Sequence, residues 1–290
     1  MTLRRSKLFS PGSRPDLMAK AAASAADMLV FDLEDAVRDE DKAAARLHVR
    51  AALDGLNWGS ASKERGVRIN PIDSAHWLDD LNAVFCPALD AVHLPKVDGL
   101  RAIWVAEAVL ADLERKAGRR QPVRLIPTLE TPEGIEQARA IALASPRVVA
   151  LQFGLGDLTA RVGLQPAPHR LAYYRTQVVL AAAAAGIEAL DTVFFDIRDS
   201  EGYRADALEA RGCGMHGKSC IHPAQVGLAN EVFSPAPAEI ERARAVLAAY
   251  EQALSAGAGA VAHGGRMVDL PVAEAARRLL ARAAQIGEVK

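Results

Sequence analysis

Residues 123–157 run VRLIPTLETPEGIEQARAIALASPRVVALQFGLGD, two short apolar segments on either side of a longer alanine-rich one. Val123–Thr128 and Val149–Phe153 are continuous apolar runs without polar alternation, the pattern of strands covered on each face. Between them Pro132–Ala144 has helical spacing, with Thr131 placed to cap it and Pro132 at the first helical position, where its missing N–H costs nothing. The same alternation extends outward along the chain. Strands are expected at Lys7–Phe9, Met28–Asp32, Val67–Asn70, Ala91–Leu94, Glu188–Leu190 and Gly214–Cys220. Helices are expected at Asp16–Ala25, Asp39–Leu53, Leu100–Lys116, Leu171–Ala185 and Ser200–Ala210, the last capped by Asp199 or Ser200. Strands alternating with helices in this way, over roughly 220 residues, describe an α/β protein, a closed (β/α)8 or TIM barrel. An open doubly wound sheet is the rival, but no GxGxxG or GxxxxGK[ST] follows an early strand.

After Pro235 the pattern changes. Pro237–Ser255 reads as a strong helix with no strand behind it, then come a glycine-rich turn (Gly257, Gly259), the run His263–Asp269 and a last helix over Val272–Ile286. Residues 1–235 are therefore assigned to the barrel and 236–290 to a helical appendage too small to bury a core of its own.

Composition narrows the class. Apolar residues make up 50% and charged residues 24%, with a formal net charge of −1, ordinary for a soluble globular protein. No basic block with interleaved aromatics points to nucleic acid. The basic N-terminus lacks a signal peptide's apolar core, and the longest apolar stretch, Val178–Ile187, is too short for a bilayer. Cys86, Cys213 and Cys220 form no CxxC pair. These features lead us to expect a reduced, cytoplasmic, soluble protein without membrane or nucleic-acid partners.

Active sites of such barrels lie where the strands end, and the strand ends here carry a coherent polar set. Strand one runs into Ser10-Pro11-Gly12-Ser13-Arg14, and strand two into Asp32-Leu33-Glu34-Asp35. Strand three presents Arg68 and Asn70, strand four Lys96, strand five Glu130, strand six Asp157, and strand eight Lys218 and His222. Glu130 and Asp157 follow consecutive strands and would stand side by side, as a hard cation such as Mg2+ requires. Taken singly, each is also explained as a helix-start acid. Arg68 suits bidentate binding of a substrate carboxylate and, equally, a salt bridge to Asp32 or Glu34. The Asp32–Asp35 run, Glu34 included, can orient Arg68 or the cation's waters. Lys96 could be a Schiff-base lysine, but the surrounding acids would hold it protonated, which favours an ion pair or substrate contact. The loop after strand eight, with Lys218 and Ser219, could contact phosphate, whereas His222 reads equally as structural.

Across these motifs the sequence resembles the citrate lyase β-subunit-like family of the HpcH/HpaI aldolase group, relatives of malyl-CoA and citramalyl-CoA lyases. The resemblance runs from Arg5–Gly12 through Val30–Val37, Arg68–Asn70, Leu94–Lys96, Leu129–Gly134, Phe153–Asp157 and Gly217–Gln225 to Gly265–Pro271. It implies a TIM barrel assembled as a trimer or hexamer, with Mg2+ (Mn2+ as a possible substitute) held at Glu130 and Asp157. Arg68 would contact the acid's carboxylate and the developing oxyanion. CoA, part of the substrate, would cross the mouth with Ser10, Pro11, Gly12 and Arg14 near its phosphates and Lys96 at the substrate. The appendage would act as a lid whose Asp269 enters a neighbouring subunit's site as catalytic acid or base, with Arg68 and Glu34 completing the catalytic set. The implied reaction is cleavage of a malyl-, citramalyl- or citryl-type CoA thioester to acetyl-CoA and a keto acid. Alternatives are a malyl-CoA-type thioesterase, an aldolase for a free hydroxy-keto acid, or a citrate lyase β subunit dependent on an acyl-carrier partner. Relatives often read GAED where this chain reads Gly154-Leu155-Gly156-Asp157, a loss of one acid that leaves the cation ligand in place.

Overall fold

The structure, a computed structural model, describes residues 2–58, 63–165 and 167–287. The chain divides into two compact units, Thr2–Glu231 and Val232–Lys290. In the first, parallel strands follow one another round a closed barrel in chain order: β1 (Ser6–Pro11), β2 (Met28–Asp32), β3 (Glu64–Arg68), β4 (Ala91–Leu94), β5 (Arg124–Leu129), β6 (Ala150–Phe153), β7 (Glu188–Asp191) and β8 (Gly217–Cys220). Closure is made by β1, which pairs with β2 (Lys7 opposite Met28) and with β8 (Lys7 opposite Ser219). The connections carry α1 (Pro15–Ala22), α2 (Lys42–Gly55), α3 (Trp77–Val84), α4 (Leu100–Ala117), α5 (Pro132–Glu136), α6 (Ala138–Leu143), α7 (Gly156–Val162), α8 (Pro168–Ala185), α9 (Ser200–Gly212) and α10 (Pro223–Val232). This is the TIM-barrel fold the sequence points to.

Strands such as β2 are continuous apolar runs because each face is covered. Every residue of β2 and β4 is buried. Alternate residues point inward, so Met28, Val30, Ala91, Ile126, Ala150 and Leu190 form one cluster that fills the barrel interior. The sequence-based boundaries differ from the structure where side chains are polar. Strand β3 begins at Glu64 rather than Val67 and ends at Arg68 rather than Asn70. Its first residue is an acid that hydropathy does not register, buried against Arg4. Strand β8 begins at Gly217, because Gly214 (φ 98°) still belongs to the turn behind α9. The helix expected over Pro132–Ala144 is broken at Gln137 (φ −93°, ψ 6°) into α5 and α6. The short helices α3, α7 and α10 had no periodic apolar signal long enough to reveal them.

In the second unit, α11 (Pro237–Ser255) and α12 (Leu270–Ile286) flank a hairpin, β9 (Val261–His263) and β10 (Arg266–Val268). The expectation of no strand after α11 is thus corrected. Gly264 (φ 56°) and Gly265 (φ 74°) supply the two left-handed residues that a tight two-residue hairpin needs, with His263 opposite Arg266. Tyr250, Val268 and Ala273 form the buried centre of this unit.

The floor of the barrel, at the strand N-termini, is ionic and balanced. Buried Arg4 bonds Glu64 at 2.5 Å and Glu188 at 2.7 Å, and Arg124 reaches Glu64 at 3.1 Å. Removing one partner from a buried ion cluster costs far more than a surface pair is worth. Arg4→Ala is therefore expected to destabilise the fold by about 3–5 kcal/mol, read as a lowered urea midpoint, whereas Arg124→Ala, on a half-exposed side chain, moves it much less.

Candidate active site

At the opposite end, where the strands finish, a cavity of about 470 Å³ opens between the loops, lined among others by Asp32, Arg68, Glu130, Gln152, Asp157 and Phe195. Arg68 is the cation among these lining residues. Its Nε and one terminal nitrogen each donate to Asp32 at 2.7 Å, a bidentate clamp, and its other terminal nitrogen lies 2.7 Å from Glu34 Oε2. The guanidinium also sits 5.3 Å from the centre of the Phe9 ring. The salt-bridge reading of Arg68 is therefore correct, and since guanidinium has five N–H donors, capacity remains for a substrate oxygen.

The acidic turn after β2 is fixed from several sides. Asp32 accepts from the backbone N–H groups of Glu34 (3.0 Å) and Ala36 (3.2 Å). The buried Lys42 ammonium donates to the carbonyls of Leu33, Glu34 and Val37 at 3.0–3.2 Å. Asn70 does not face the mouth as expected. It is buried, donates to the Leu33 carbonyl at 2.9 Å and to Asp80 at 2.7 Å, and so holds the same turn from behind.

Glu130 and Asp157 both line the cavity. Glu130 is 5% exposed, and its Oε1 accepts from the Lys96 backbone N–H at 2.8 Å. A Cβ on Gly154 would lie 2.5 Å from Glu130 Oε2 and 2.6 Å from its Cβ, so this glycine exists to let the carboxylate sit where it does. Asp157 lies not at a strand end but in the first turn of α7. The loop leading to it is pinned where Leu155 N–H donates to Thr192 Oγ1 at 3.0 Å. Burial, then the neighbouring Glu34 and Asp157 charges, push the Glu130 carboxyl up to about 7, against the pull of the Lys96 N–H and Arg68. Burial likewise raises Glu34.

Other residues fall into place differently. Lys96 Nζ lies 2.8 Å from Glu34 and 3.4 Å from Asp35. Burial lowers its affinity for the proton, but these acids raise it more, opposite to what a Schiff-base lysine needs. Lys218 is no phosphate contact. It is fully buried and bonds Asp191 (2.5 Å), Asp206 (2.6 Å) and the Thr192 carbonyl, in a layer shared with Arg175. His222 is exposed and its Nδ1 accepts from Ala224 N–H, a turn role at the start of α10. Of the N-terminal set, Ser10 and Pro11 belong to β1 itself, and Pro11 lines the cavity. Ser10 is buried, Gly12 lies close over the Asp32 carbonyl, and Arg14 is exposed and paired with Asp16. Asp269 caps α12 in the second unit, accepting from Val272 N–H at 3.3 Å.

Sequence reasoning missed Lys7, Lys42, Gln152, Gly154 and Thr192. Lys7 is buried under the cavity and donates to Gln152. Burial foremost, then Arg68, drives its ammonium well below the usual lysine range. A charged residue inside the short β1 run was the one available signal.

The donor set at the mouth suits a hard divalent cation. It consists of carboxylate oxygens, one of them raised to about 7 by burial and then by its acidic neighbours, with a glycine cradle behind. Among the described residues no group of three or more His, Cys, Asp or Glu side chains converges as metal ligands. Glu130 and Asp157 would thus hold the cation as a pair, with water and substrate completing its shell.

Fold and mouth together describe a barrel whose strand ends gather carboxylates around an arginine. Residues 5–223 match the HpcH/HpaI aldolase/citrate lyase family; the chain belongs to it and is an enzyme of the carbon–carbon lyase class. Among its relatives, L-malyl-CoA/beta-methylmalyl-CoA lyase of Cereibacter sphaeroides (strain ATCC 17025) is 38% identical over 97% of this chain and 95% of its own. Citrate lyase subunit beta of Haemophilus influenzae is 35% identical over 98% of each chain. The solved structure of CitE from Mycobacterium tuberculosis, in complex with magnesium, acetoacetate and coenzyme A, superposes with a TM-score of 0.77 at 34% identity, covering 96% of this chain and 97% of that one.

Two outcomes follow from the acid pair. The folded Glu130 carboxyl titrates near 7, above its ordinary 4.5, so the cation-free fold holds that proton more tightly than the unfolded chain does. Its contribution is complete below the unfolded value and is lost as pH rises through the folded one, on the order of 3 kcal/mol. In EDTA the urea midpoint should fall between pH 5 and 8, with a flatter slope in Glu130→Gln. Gly154→Ala should displace the carboxylate and weaken Mg2+ binding roughly 10- to 100-fold by calorimetry.

Proposed function

We propose that this protein is a Mg2+-dependent lyase that cleaves a 3-hydroxyacyl-CoA thioester of malyl, citramalyl or citryl type to acetyl-CoA and a keto acid. The observation that carries the reading is the buried Glu130 beside Asp157, facing an Arg68 that is clamped in place yet retains free donor capacity. Glu130 and Asp157 would hold Mg2+, with Mn2+ as a substitute; when bound, the cation polarises the hydroxyl and carboxylate oxygens of the substrate acid. Arg68 binds that carboxylate and stabilises charge on the forming keto oxygen, and Asp32 keeps its fork in plane. Glu34 serves by holding Arg68 and Lys96 at 2.7 and 2.8 Å.

In cleavage a water at the mouth takes the hydroxyl proton as base and a C=O forms at the same carbon, while the C–C electron pair passes to the thioester fragment as an enolate, so that one proton leaves the hydroxyl and one is later returned to carbon. Protonation at its carbon yields acetyl-CoA. Asp269 is assigned that proton transfer, delivered from a neighbouring copy within a trimer or hexamer. In this reading Pro11, which lines the cavity, and the exposed Arg14 contact the CoA chain and its phosphates. The bound CoA, magnesium and acetoacetate of the Mycobacterium tuberculosis relative support this reading. A second reading, a subunit that works only with an acyl-carrier partner, is favoured by the end-to-end similarity to a citrate lyase β subunit.

The test is acetyl-CoA and keto-acid release from malyl-, citramalyl- and citryl-CoA by the purified chain with Mg2+. Keto-acid formation abolished by EDTA and reduced at least ~100-fold in kcat by Asp269→Asn is the expected result. Free CoA without keto acid would identify a thioesterase instead, and inactivity on every thioester would transfer the assignment to the carrier-dependent subunit.

A further inference from the structure

Lys96 is the one non-glycine residue with positive φ (51°) among the described residues. A side chain of this size enters the left-handed region only where its surroundings impose it, and such strain gathers at functional sites. Here the surroundings are acids. In this conformation the Lys96 N–H points to Glu130 Oε1 at 2.8 Å, while the side chain turns to Glu34 Oε1 at 2.8 Å and Asp35 at 3.4 Å. The other oxygen of Glu34 is 2.7 Å from Arg68. Each oxygen of this buried carboxylate therefore faces a cationic side chain, and Glu34 is also the neighbouring acid that acts most strongly on Glu130.

We propose that Lys96 is a positioning residue that restricts the carboxylates available to the divalent cation to Glu130 and Asp157 by keeping Glu34 engaged elsewhere. The inference rests on the reading of those two acids as cation ligands. Lys96 acts through two separable parts. Its backbone amide fixes one oxygen of Glu130, and its ammonium occupies Glu34. Without the ammonium, Glu34 has a single cationic partner for two buried oxygens, and a hard cation next to it gains a third carboxylate. Affinity of oxygen-ligand sites rises with the number of charged ligands, so losing this lysine should tighten cation binding, whereas loss of a merely structural residue would loosen it.

Lys96→Gly removes the ammonium and leaves the amide in place, since glycine adopts positive φ without strain. Lys96→Met removes the ammonium alone, and Lys96→Arg keeps a cation there. Mg2+ titrated calorimetrically into each substrate-free protein is expected to bind Lys96→Gly and Lys96→Met about 10-fold tighter than wild type. Lys96→Arg should match wild type, and the gain should vanish when Glu34→Gln is added. Unchanged or weaker binding in the Gly and Met variants, or a gain that survives Glu34→Gln, overturns the proposal while leaving the cation assignment intact. Wild-type protein that binds no Mg2+, or binds it regardless of Glu130→Gln, overturns the assignment and this inference together.

Discussion

Charge balance around Arg68 governs the mouth of this barrel. Asp32, Glu34, Asp35, Glu130 and Asp157 are gathered at one end of the sheet, and Arg68 and Lys96 are the cations that answer them there. Buried carboxylates persist only when paired or hydrogen-bonded, and the Asp32 clamp meets that condition with each oxygen. Its geometry follows directly from the sheet. Asp32 and Arg68 are register partners on β2 and β3, so the bidentate bond is set by the strand pairing itself. Everything that fixes the turn after Asp32, from Lys42 to Asn70, protects this pairing.

The two ends of the barrel handle charge in opposite ways. At the floor, Arg4, Glu64, Glu188 and Arg124 form a closed ionic cluster that stabilises the strand starts and leaves little for a ligand to gain. At the mouth, acids outnumber cations, and burial first, then the Glu34 and Asp157 charges, raises the Glu130 carboxyl.

A third cluster connects these ends to the helical layer. Arg175, Asp191, Lys218 and the partly buried Asp206 tie α8 and α9 to β7 and β8. Lys218 also holds the Thr192 carbonyl, and the Thr192 hydroxyl holds the loop that carries Asp157. Rigid packing two layers away thereby sets where a mouth carboxylate stands, which is how an active-site loop can be precise without being rigid in itself.

By itself the sequence determined the barrel, the order of its strands and the end at which chemistry gathers, because short apolar runs alternating with helices are local patterns that hydropathy records. Arg68, Glu130 and Asp157 were legible for the same reason, each lying at or just beyond an apolar run. Only the tertiary structure decided which charges face the cavity. Lys218 lies within β8 and Lys96 just beyond β4, yet one is sealed between barrel and helices and the other turns onto Glu34. Glu64 lies outside the strand expected from the sequence, yet it begins β3, where Arg4, distant in sequence, neutralises it. Gly154 and Thr192 announced nothing, since their roles exist only once Glu130 and Leu155 are brought against them. Local pattern fixes where a strand runs, but pairing across the barrel joins residues with no sequence relation, and the energy of a buried charge depends on those partners.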